Sequence, residues 1–471
     1  MKAEPRPARR WRGRLAGLGL LWSALSPLAS EERGGGQLSA ILGRPTDRSV
    51  TVSLLSETAT EAMVEWTDGK TSGRSAPLHL QPGLPGEIIL SGLRPDTAYR
   101  YHLSTREGDG FRQRLACSFH SQRQAGSAFT FTLQGDSHPE RLGRIHHPEL
   151  YARTLDNISR DHPDLHLALG DDFSLEPLAR RGALRAESVD RIYARQRDVL
   201  QAVGCSAPLF LVNGNHDLLD VTDHDAALLA GSARNRYFPL PDPEGFYSGD
   251  RERVEPLGWL RDYYAWNWGD ALFVVLDPYW HSFPKPGERE GKRREGWQLT
   301  LGETQYRWLS QQLSQSRAKW KFVFIHHLNG AGRGGIEASE RFEWGGNNRQ
   351  GEAVFHNQRP GWSQPVHDLL AAAHVTIVFQ GHDHLYARQQ RDGVVYQTLP
   401  NPADAQYRLF DWNVYRQGDI RPNSGHVRVT VSAESVQVDY VKSCLISDEA
   451  RRCRNGEVAH SYRLPAPTLS R

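Results

Sequence analysis

Short apolar runs of four or five residues recur along this chain of 471 residues. The five runs are Phe-Thr-Phe-Thr-Leu before Gln134, Leu-His-Leu-Ala-Leu before Gly170, Leu-Phe-Leu-Val before Asn213, Phe-Val-Phe-Ile before His326 and Val-Thr-Ile-Val-Phe before Gln380. They are rich in β-branched and aromatic side chains, which is typical of buried strands. Three stretches, 149–159, 188–203 and 304–316, place apolar residues at near-helical spacing and predict helices that pack on the sheets. The pattern therefore predicts an α/β fold.

Residues 426–441 alternate with period two, which predicts a hairpin that closes the second sheet. The connections 217–259, 278–297 and 330–361 are longer than ordinary loops, and loops of that size are often functional. Four side chains of the last connection either contact a bound substrate or pack the loop itself, namely Arg333, Trp344, Asn347 and Asn348.

Residues 45–124 show a different pattern, in which alternating strands are separated by turns that contain Gly or Pro. We interpret this range as a separate β-domain and residues 31–44 as a linker. The segment 93–101, Leu-Arg-Pro-Asp-Thr-Ala-Tyr-Arg-Tyr, resembles the tyrosine corner of fibronectin type III sandwiches. This resemblance implies a hydrogen bond between Tyr99 and nearby backbone.

A polar cluster directly follows each of the five apolar runs. The clusters are Gly135-Asp-Ser-His138, Gly170-Asp-Asp172, Gly214-Asn-His-Asp217, His326-His327 and Gly381-His-Asp-His384. Open α/β sheets place ligands at the carboxyl ends of their strands, so we expect these donors to converge. A mixed set of carboxylate, amide and imidazole favours transition metals or manganese over calcium. Seven candidate ligands exceed one tetrahedral site, so the sequence predicts two metal ions.

In this order the clusters resemble the motifs of the calcineurin-like metallophosphoesterase superfamily over residues 127–442. The resemblance implies a four-layer αββα sandwich, which we assign to residues 127–471, and two ions drawn from Fe, Mn and Zn. His327 would either support a ligand or be a loop residue. By this resemblance the first ion is held by Asp136, His138, Asp171 and His384, and the second by the bridging Asp171 with Asn215, His326 and His382.

The resemblance also implies a reaction, the hydrolysis of a phosphate mono- or diester by a hydroxide that bridges the two ions. His216 would be a catalytic histidine that binds no metal and assists the leaving group. A protein nucleophile is then unnecessary, which agrees with the absence of a Gly-x-Ser-x-Gly elbow from the sequence.

Two departures from related families concern the first and second motifs. Purple acid phosphatases, which have a similar N-terminal sandwich, carry an iron-binding tyrosine where this chain has Ser174, and they lack the histidine found here at His138. Phosphoprotein phosphatases use an aspartate at the position of Ser174 to orient the catalytic histidine. Asp172 and Asp217 either take over that task or are structural, and we group Asp217 with His216 as a catalytic candidate.

Residues 1–30 have the basic stretch, apolar run and small residues of a secretory signal peptide. An uncleaved anchor is the alternative, although the apolar run is short and contains Pro27. This segment carries six Lys or Arg and one Glu, so its removal changes the net charge from +2 to −3. The mature chain then lacks a nucleic-acid-binding footprint. We expect an exported protein, periplasmic, secreted or at the cell surface, without a transmembrane span; the sequence does not indicate its oligomeric state.

The four cysteines fall into two pairs. Cys444 and Cys453 flank a short polar stretch and are either a disulfide in an oxidising compartment or two reduced thiols. Cys117 and Cys205 lie in apolar settings of different domains, where we expect ordinary buried thiols and no bridge.

Two classes of function fit these observations. The first is an exported metal-dependent phosphoesterase that acts on a phosphate ester substrate. The second is a cell-surface binding or scaffold protein that keeps the fold without significant turnover. Loss of a ligand would favour the second class, and the complete ligand set favours the enzyme.

Overall fold

The computed structural model describes residues 38–284, 296–328 and 332–467, and the interpreted signal peptide lies outside this range. The described residues form one compact unit. Its N-terminal part is built from strands alone, namely β1 Leu38–Gly43, β2 Ser49–Ser56, β3 Thr60–Thr67, β4 Ser72–Arg74, β5 Leu78–Leu80, β6 Gly86–Ser91, β7 Ala98–Glu107 and β8 Gly110–His120.

These strands form two sheets with the orders β1-β2-β6 and β4-β3-β7-β8, and β5 pairs with β3. The backbone amide of Arg94 donates to Tyr99 Oη over 2.8 Å, so the hydrogen bond implied for this tyrosine is present. Strand β1 lies inside the range interpreted as a linker. It belongs to the sandwich because Ala40 and Leu42 are fully buried in the apolar core between the two sheets.

The rest of the described chain contains two larger sheets. The first has the order β11-β10-β9-β22-β23-β24 and the second the order β12-β15-β16-β17-β18-β20-β19-β21. The strands are β9 Phe129–Gln134, β10 Leu165–Ala168, β11 Leu209–Leu211, β12 Ser248–Gly249, β13 Arg253–Val254, β14 Gly258–Trp259, β15 Tyr264–Trp268, β16 Ala271–Val275, β17 Trp320–Ile325, β18 Ile377–Gln380, β19 Tyr386–Arg391, β20 Val394–Thr398, β21 Asp419–Arg421, β22 Gly425–Val431, β23 Ser435–Lys442 and β24 Val458–Pro465.

Helices cover the outer faces of both sheets. The helices are α1 Pro148–Arg160, α2 Glu176–Ala179, α3 Ala186–Gly204, α4 His224–Tyr237, α5 Gly302–Gln315, α6 Ile336–Ser339, α7 Phe342–Gly345, α8 Phe355–Gln358 and α9 Val366–Ala372. Apolar residues of α1, α3 and α4 pack on the first sheet, and those of α5 and α9 pack on the second. The resulting αββα sandwich after an all-β region confirms the predicted fold class. Within the described residues, no helix has the length and apolar character needed to cross a membrane.

The two sheets face each other through a core of phenylalanine side chains. The Phe131 ring centroid lies 5.0 Å from that of Phe273 and 5.3 Å from that of Phe322. Alternation along β17 explains the layering, since Phe322 and Phe324 enter this core while Val323 packs against the helices outside. The strands that carry the polar clusters are therefore fixed on both faces.

The C-terminal hairpin, β22 and β23, does not lie where the sequence suggested. Strand β22 pairs antiparallel with β9, with Val427 opposite Leu133, so the hairpin extends the sheet that carries the first three clusters. Period-two alternation fixes the faces of a hairpin but not the sheet that it joins. Further along the chain, Cys444 and Cys453 form a disulfide, which is the first of the two alternatives for this pair.

Arg197 on α3 connects the N-terminal sandwich to the α/β part. Its fully buried guanidinium donates to Ser39 Oγ over 3.2 Å, Ser53 Oγ over 3.1 Å, the Ser53 carbonyl over 2.6 Å and the Tyr237 carbonyl over 2.5 Å. Burial lowers the pKa of Arg197 to about 10, which leaves it charged at neutral pH. One cation thus joins strands of the sandwich to two helices of the neighbouring layer.

Asp161, at the end of α1, contributes to the stability of the fold through its contacts with β22. Its carboxylate accepts from His426 Nε2 and Arg428 Nη1, each over 2.7 Å, and so connects the helix to β22. Burial opposes ionisation, but these two partners outweigh it and lower the pKa of Asp161. The carboxylate therefore stabilises the fold above its unfolded-state pKa of about 3.9, and this contribution is lost as the pH falls through the lower folded-state pKa.

We expect Asp161→Asn to reduce the free energy of unfolding at pH 7 by about 1–3 kcal/mol, because it weakens two partly buried charged hydrogen bonds. The difference from the wild type should shrink as the pH falls below about 4. Urea unfolding at several pH values measures both effects. Asp156→Asn is the matched control on the same helix: its pair with Arg160 is exposed and should change stability by at most about 0.5 kcal/mol. Equal effects of the two variants would contradict the assignment.

Candidate metal centre

All seven predicted ligands come together at the carboxyl ends of the central strands. The parallel strands β9 and β10 place Asp136 and Asp171 in adjacent loops, while β17 and β18 end beside them in the second sheet. The side chains are buried, with at most 6% of any residue exposed. The set comprises Asp136, His138, Asp171, Asn215, His326, His382 and His384.

The first group of donors surrounds the position implied for the first ion. His138 Nε2 lies 3.1 Å from His384 Nε2, and His384 Nε2 lies 3.0 Å from Asp136 Oδ2. Asp171 Oδ2 lies 3.6 Å from His138 Nε2. Two imidazoles and two carboxylates therefore direct their donor atoms at a common point, and both residue types bind metal ions.

The second group lies on the other side of Asp171. His326 Nε2 is 3.1 Å and His382 Nδ1 is 3.0 Å from Asn215 Oδ1. Asp171 Oδ2 is 3.3 Å from His326 Nε2. The same carboxylate oxygen thus faces both groups of donors.

Outer hydrogen bonds direct the donor atoms inward. His326 Nδ1 donates to the Leu169 carbonyl over 2.6 Å, which leaves the lone pair of Nε2 for a cation. His138 Nδ1 lies 2.8 Å from Glu140 Oε1, with the same effect. Asn215 Nδ2 donates to Asp220 Oδ1 over 2.7 Å, so its carbonyl oxygen faces the site. These orientations fit metal ions, because Nε2 of His138, Nε2 of His326 and the Asn215 carbonyl oxygen all face the donor groups.

The electrostatics of the site favour bound cations. Burial opposes protonation of His326, but Asp171 and Asp136 outweigh it and raise the pKa of His326 to about 10. Burial likewise raises the pKa of Asp136, but His326 and His384 outweigh it and bring it to about 2. The two carboxylates therefore stay ionised in a buried place, where positive charge is needed to compensate them.

The backbone at the ligands is unusual. Four of them, His138, Asp171, His382 and His384, have positive φ angles between 45° and 68°. Such conformations persist only where the surrounding structure fixes them, and they cluster at functional sites. Gly170 has φ +90°, and a Cβ there would meet the Gly214 nitrogen at 2.6 Å. Only glycine allows these two metal-binding loops to approach so closely.

His216 lies beside the ligands, and its orienting partner is Glu176. His216 Nδ1 is 2.8 Å from Glu176 Oε1, while Arg141 Nη2 lies 2.9 Å from His216 Nε2. His216 Nε2 is 4.0 Å from Asp171 Oδ2. Burial and Arg141 lower the pKa of His216, but Asp171 and Glu176 outweigh them and raise it to about 9. The imidazole is thus held by a carboxylate on one side and faces the metal ligands on the other.

The two aspartates proposed as partners of His216 have other contacts. Asp217 accepts from the backbone amides of Asp171 over 3.0 Å, Phe173 over 2.7 Å and Gly214 over 2.8 Å, so both of its oxygens fix the metal-binding loops. Asp172 accepts from Ser137 Oγ and from Gln134 Nε2. Each carboxylate therefore points into the loop structure, and neither contacts the imidazole.

Other loop residues support the ligands from outside. Arg333 donates to the His382 carbonyl and lies 2.8 Å from Asp411, so it fixes the last metal-binding loop. His327 Nδ1 lies 3.3 Å from Tyr279 Oη. Trp344 is fully buried and donates to Tyr396 Oη over 2.9 Å, which is a packing role.

Sequence reasoning missed Glu140, Arg141, Glu176 and Asp220. Each follows a motif closely: Glu140 comes two residues after His138, and Glu176 five residues after Asp171. A search for charged residues just beyond each ligand would have found them. The choice among neighbouring carboxylates depends on loop conformation, which these short motifs do not encode.

Comparisons with known proteins agree with this geometry. A sequence profile of calcineurin-like phosphoesterases matches residues 129–386, more than half of the chain. The structure of PhoD superposes with a TM-score of 0.64 at 15% identity, covering 91% of this chain and 90% of PhoD. The purple acid phosphatase PPD1 from yellow lupin (Lupinus luteus) seeds gives a TM-score of 0.59 at 15% identity, covering 90% of this chain and 74% of that protein. A comparison with curated protein sequences gives no match.

At such low identity, the two similar structures show the fold alone. The profile match is the stronger finding, because it spans the loops that carry the seven converging donors. The chain belongs to the calcineurin-like phosphoesterase family and is a metal-dependent phosphoesterase.

Proposed function

We propose that this chain is an exported phosphoesterase with two metal ions that hydrolyses phosphate mono- or diesters. The observation that carries the proposal is the position of Asp171 Oδ2, which lies 3.6 Å from His138 Nε2 and 3.3 Å from His326 Nε2. Two groups of donors that share one carboxylate oxygen match the needs of two neighbouring cations.

The first ion would be held by Asp136, His138 and His384, the second by Asn215, His326 and His382, and both by Asp171. The imidazole-rich set suits Fe, Mn or Zn. When bound, such a pair of ions supplies a water nucleophile of lowered pKa and binds the phosphate oxygens. Asp217 acts as a positioning residue, because it holds the backbone amides of the loop that carries Asp171.

His216 would give a proton to the leaving oxygen. Asp171 and Glu176 favour its protonated form, and the contact of Glu176 with Nδ1 directs Nε2 towards the donor groups. Arg141 contacts Nε2 in this structure. A bound phosphate offers Arg141 two anionic oxygens, which are stronger acceptors than imidazole. Arg141 would then bind the phosphate and release Nε2 of His216 for the leaving group.

Export is proposed from the signal-like residues 1–30 and agrees with the disulfide between Cys444 and Cys453. The N-terminal sandwich is proposed to be fibronectin type III-like. Its two sheets and the hydrogen bond between Arg94 and Tyr99 support this assignment.

A metal and substrate panel tests the function. We expect the wild type to bind two ions per chain and to hydrolyse aryl phosphate esters between about pH 5 and pH 9. Removal of the metals by a chelator should abolish turnover. Asp171→Asn should do the same, because both groups of donors then lose the carboxylate charge that they share. Elemental analysis and hydrolysis rates provide the readouts, and Asp156→Asn should retain both properties. Metal-loaded wild type that hydrolyses neither monoesters nor diesters would favour the scaffold alternative.

Glu140 tests the outer hydrogen bond of the first donor group. We expect Glu140→Gln to weaken binding of one ion by about 10–100-fold, because His138 loses the carboxylate that fixes its ring. Metal content after dialysis against graded free-metal concentrations measures this change independently of activity. Glu149→Gln, an exposed change in the first turn of α1, is the matched control. Unchanged metal content in the Glu140 variant would refute the role.

Two substrates with different leaving groups test the roles of His216 and Glu176. We expect His216→Ala to lower kcat by about 100–10,000-fold for an alkyl phosphate, whose alkoxide needs a proton, and much less for 4-nitrophenyl phosphate. Glu176→Gln should act in the same direction with a smaller loss, and should add little in the His216→Ala background because the two residues act as a unit. Glu187→Gln, exposed at the start of α3, is the control. Equal losses on both substrates would contradict a role at the leaving group.

A further inference from the structure

Cys117 and Cys205 meet at the boundary between the N-terminal sandwich and the α/β part. Cys117 lies on β8 opposite Tyr101 of β7, and Tyr101 Oη donates to the Cys205 carbonyl over 2.6 Å. Cys205 directly follows α3. Both residues have free thiols and are partly exposed. The sequence placed them in different domains, but the fold makes them neighbours.

A cleft of about 490 Å³ opens at this boundary. One wall belongs to β7 and β8 and includes Cys117, whereas the other includes Val203, Ser206 and Ala207, which flank Cys205. Small reagents in solvent can therefore reach the boundary where the two thiols lie.

The two thiols also affect each other's ionisation. The neighbouring Cys117 thiol outweighs burial and lowers the pKa of Cys205 to about 7. The Cys205 thiol, together with burial, raises the pKa of Cys117. Cys205 is thus the better nucleophile of the pair near neutral pH, because the thiolate is the reactive form.

We propose that Cys117 and Cys205 are a cross-linking site, at which a disulfide joins the N-terminal sandwich to the end of α3. The proposal rests on Tyr101, which lies opposite Cys117 and donates to the Cys205 carbonyl, and on the accessible cleft at this boundary. It is independent of the proposed phosphoesterase mechanism.

The oxidant is a small disulfide such as oxidised glutathione. The Cys205 thiolate attacks one of its sulfurs and expels one glutathione thiolate. Cys117 then loses its proton to solvent and attacks the Cys205 sulfur of the mixed disulfide, which expels the second thiolate. The protons lost by the two cysteines return to the two glutathiones, so the protein is oxidised by two electrons and the glutathione is reduced by two.

The cross-link would enclose residues 118–204, which carry Asp136, His138, Asp171 and Glu176. A bridge that closes so long a loop restricts the unfolded chain strongly. We therefore expect the cross-link to raise the unfolding temperature by about 5–10 °C.

The test uses the full chain with metal bound. The protein is incubated with oxidised glutathione, alkylated without reduction, and analysed by intact mass and by peptide mapping. We expect no alkylated cysteine and a peptide in which Cys117 is joined to Cys205. Cys117→Ser and Cys205→Ser should each abolish that peptide and the rise in unfolding temperature. Cys444→Ser/Cys453→Ser should retain the peptide, since that disulfide lies elsewhere.

Three outcomes would overturn the proposal. The first is full alkylation of both thiols after oxidation. The second is a stable glutathione adduct on Cys205 that never resolves, and the third is a bridge from either cysteine to Cys444 or Cys453. The intact mass and the peptide map of the wild type together decide among these outcomes without any variant, so the test does not depend on whether the serine variants fold.

Discussion

The site depends on the Asp171 carboxylate, whose two oxygens have different partners. One oxygen accepts the backbone amide of His216 over 2.9 Å, and the other faces both groups of metal donors. The amide of Asp171 is itself held by Asp217. A single buried charge therefore sets the distance between the two groups of donors and the loop that carries His216. Because this loop is fixed by main-chain hydrogen bonds, its geometry is established before substrate binds.

The architecture explains how several carboxylates can be buried at the site. Carboxylates out of water are costly unless cations and hydrogen bonds compensate them. The phenylalanine core between the sheets fixes the ends of β9, β10, β17 and β18, so histidines and backbone amides meet the carboxylates at short range. The positive φ angles at four of the donor residues strain the backbone, and the packed strands around the site hold the backbone in this conformation.

The sequence predicted the fold class and the convergence of seven ligands, because short apolar runs and ordered motifs are local signals. Three features were not predicted. They are the strand β1, the position of the C-terminal hairpin in the first of the two large sheets, and the contact of Glu176 with His216. Strand partners and carboxylate contacts are set by distant parts of the chain. Thus β22 pairs with β9 across about 300 residues, and Glu176 rather than Asp172 meets His216 because the loop after Asp171 turns Asp172 towards Ser137.

The hydrogen bonds of the Arg197 guanidinium show that the N-terminal sandwich is bound to the α/β part and is more than an appended module. Its hydrogen bonds to Ser39 and Ser53 are supplied by strands that lie some 150 residues earlier in the chain. A catalytic domain cut free at residue 127 would keep this cation but lose those acceptors, and it would expose the apolar residues of α3 and α4 that Ile41 and Leu55 cover. The two parts of the chain therefore depend on each other structurally, and we expect the α/β part to be less soluble and less stable without the sandwich.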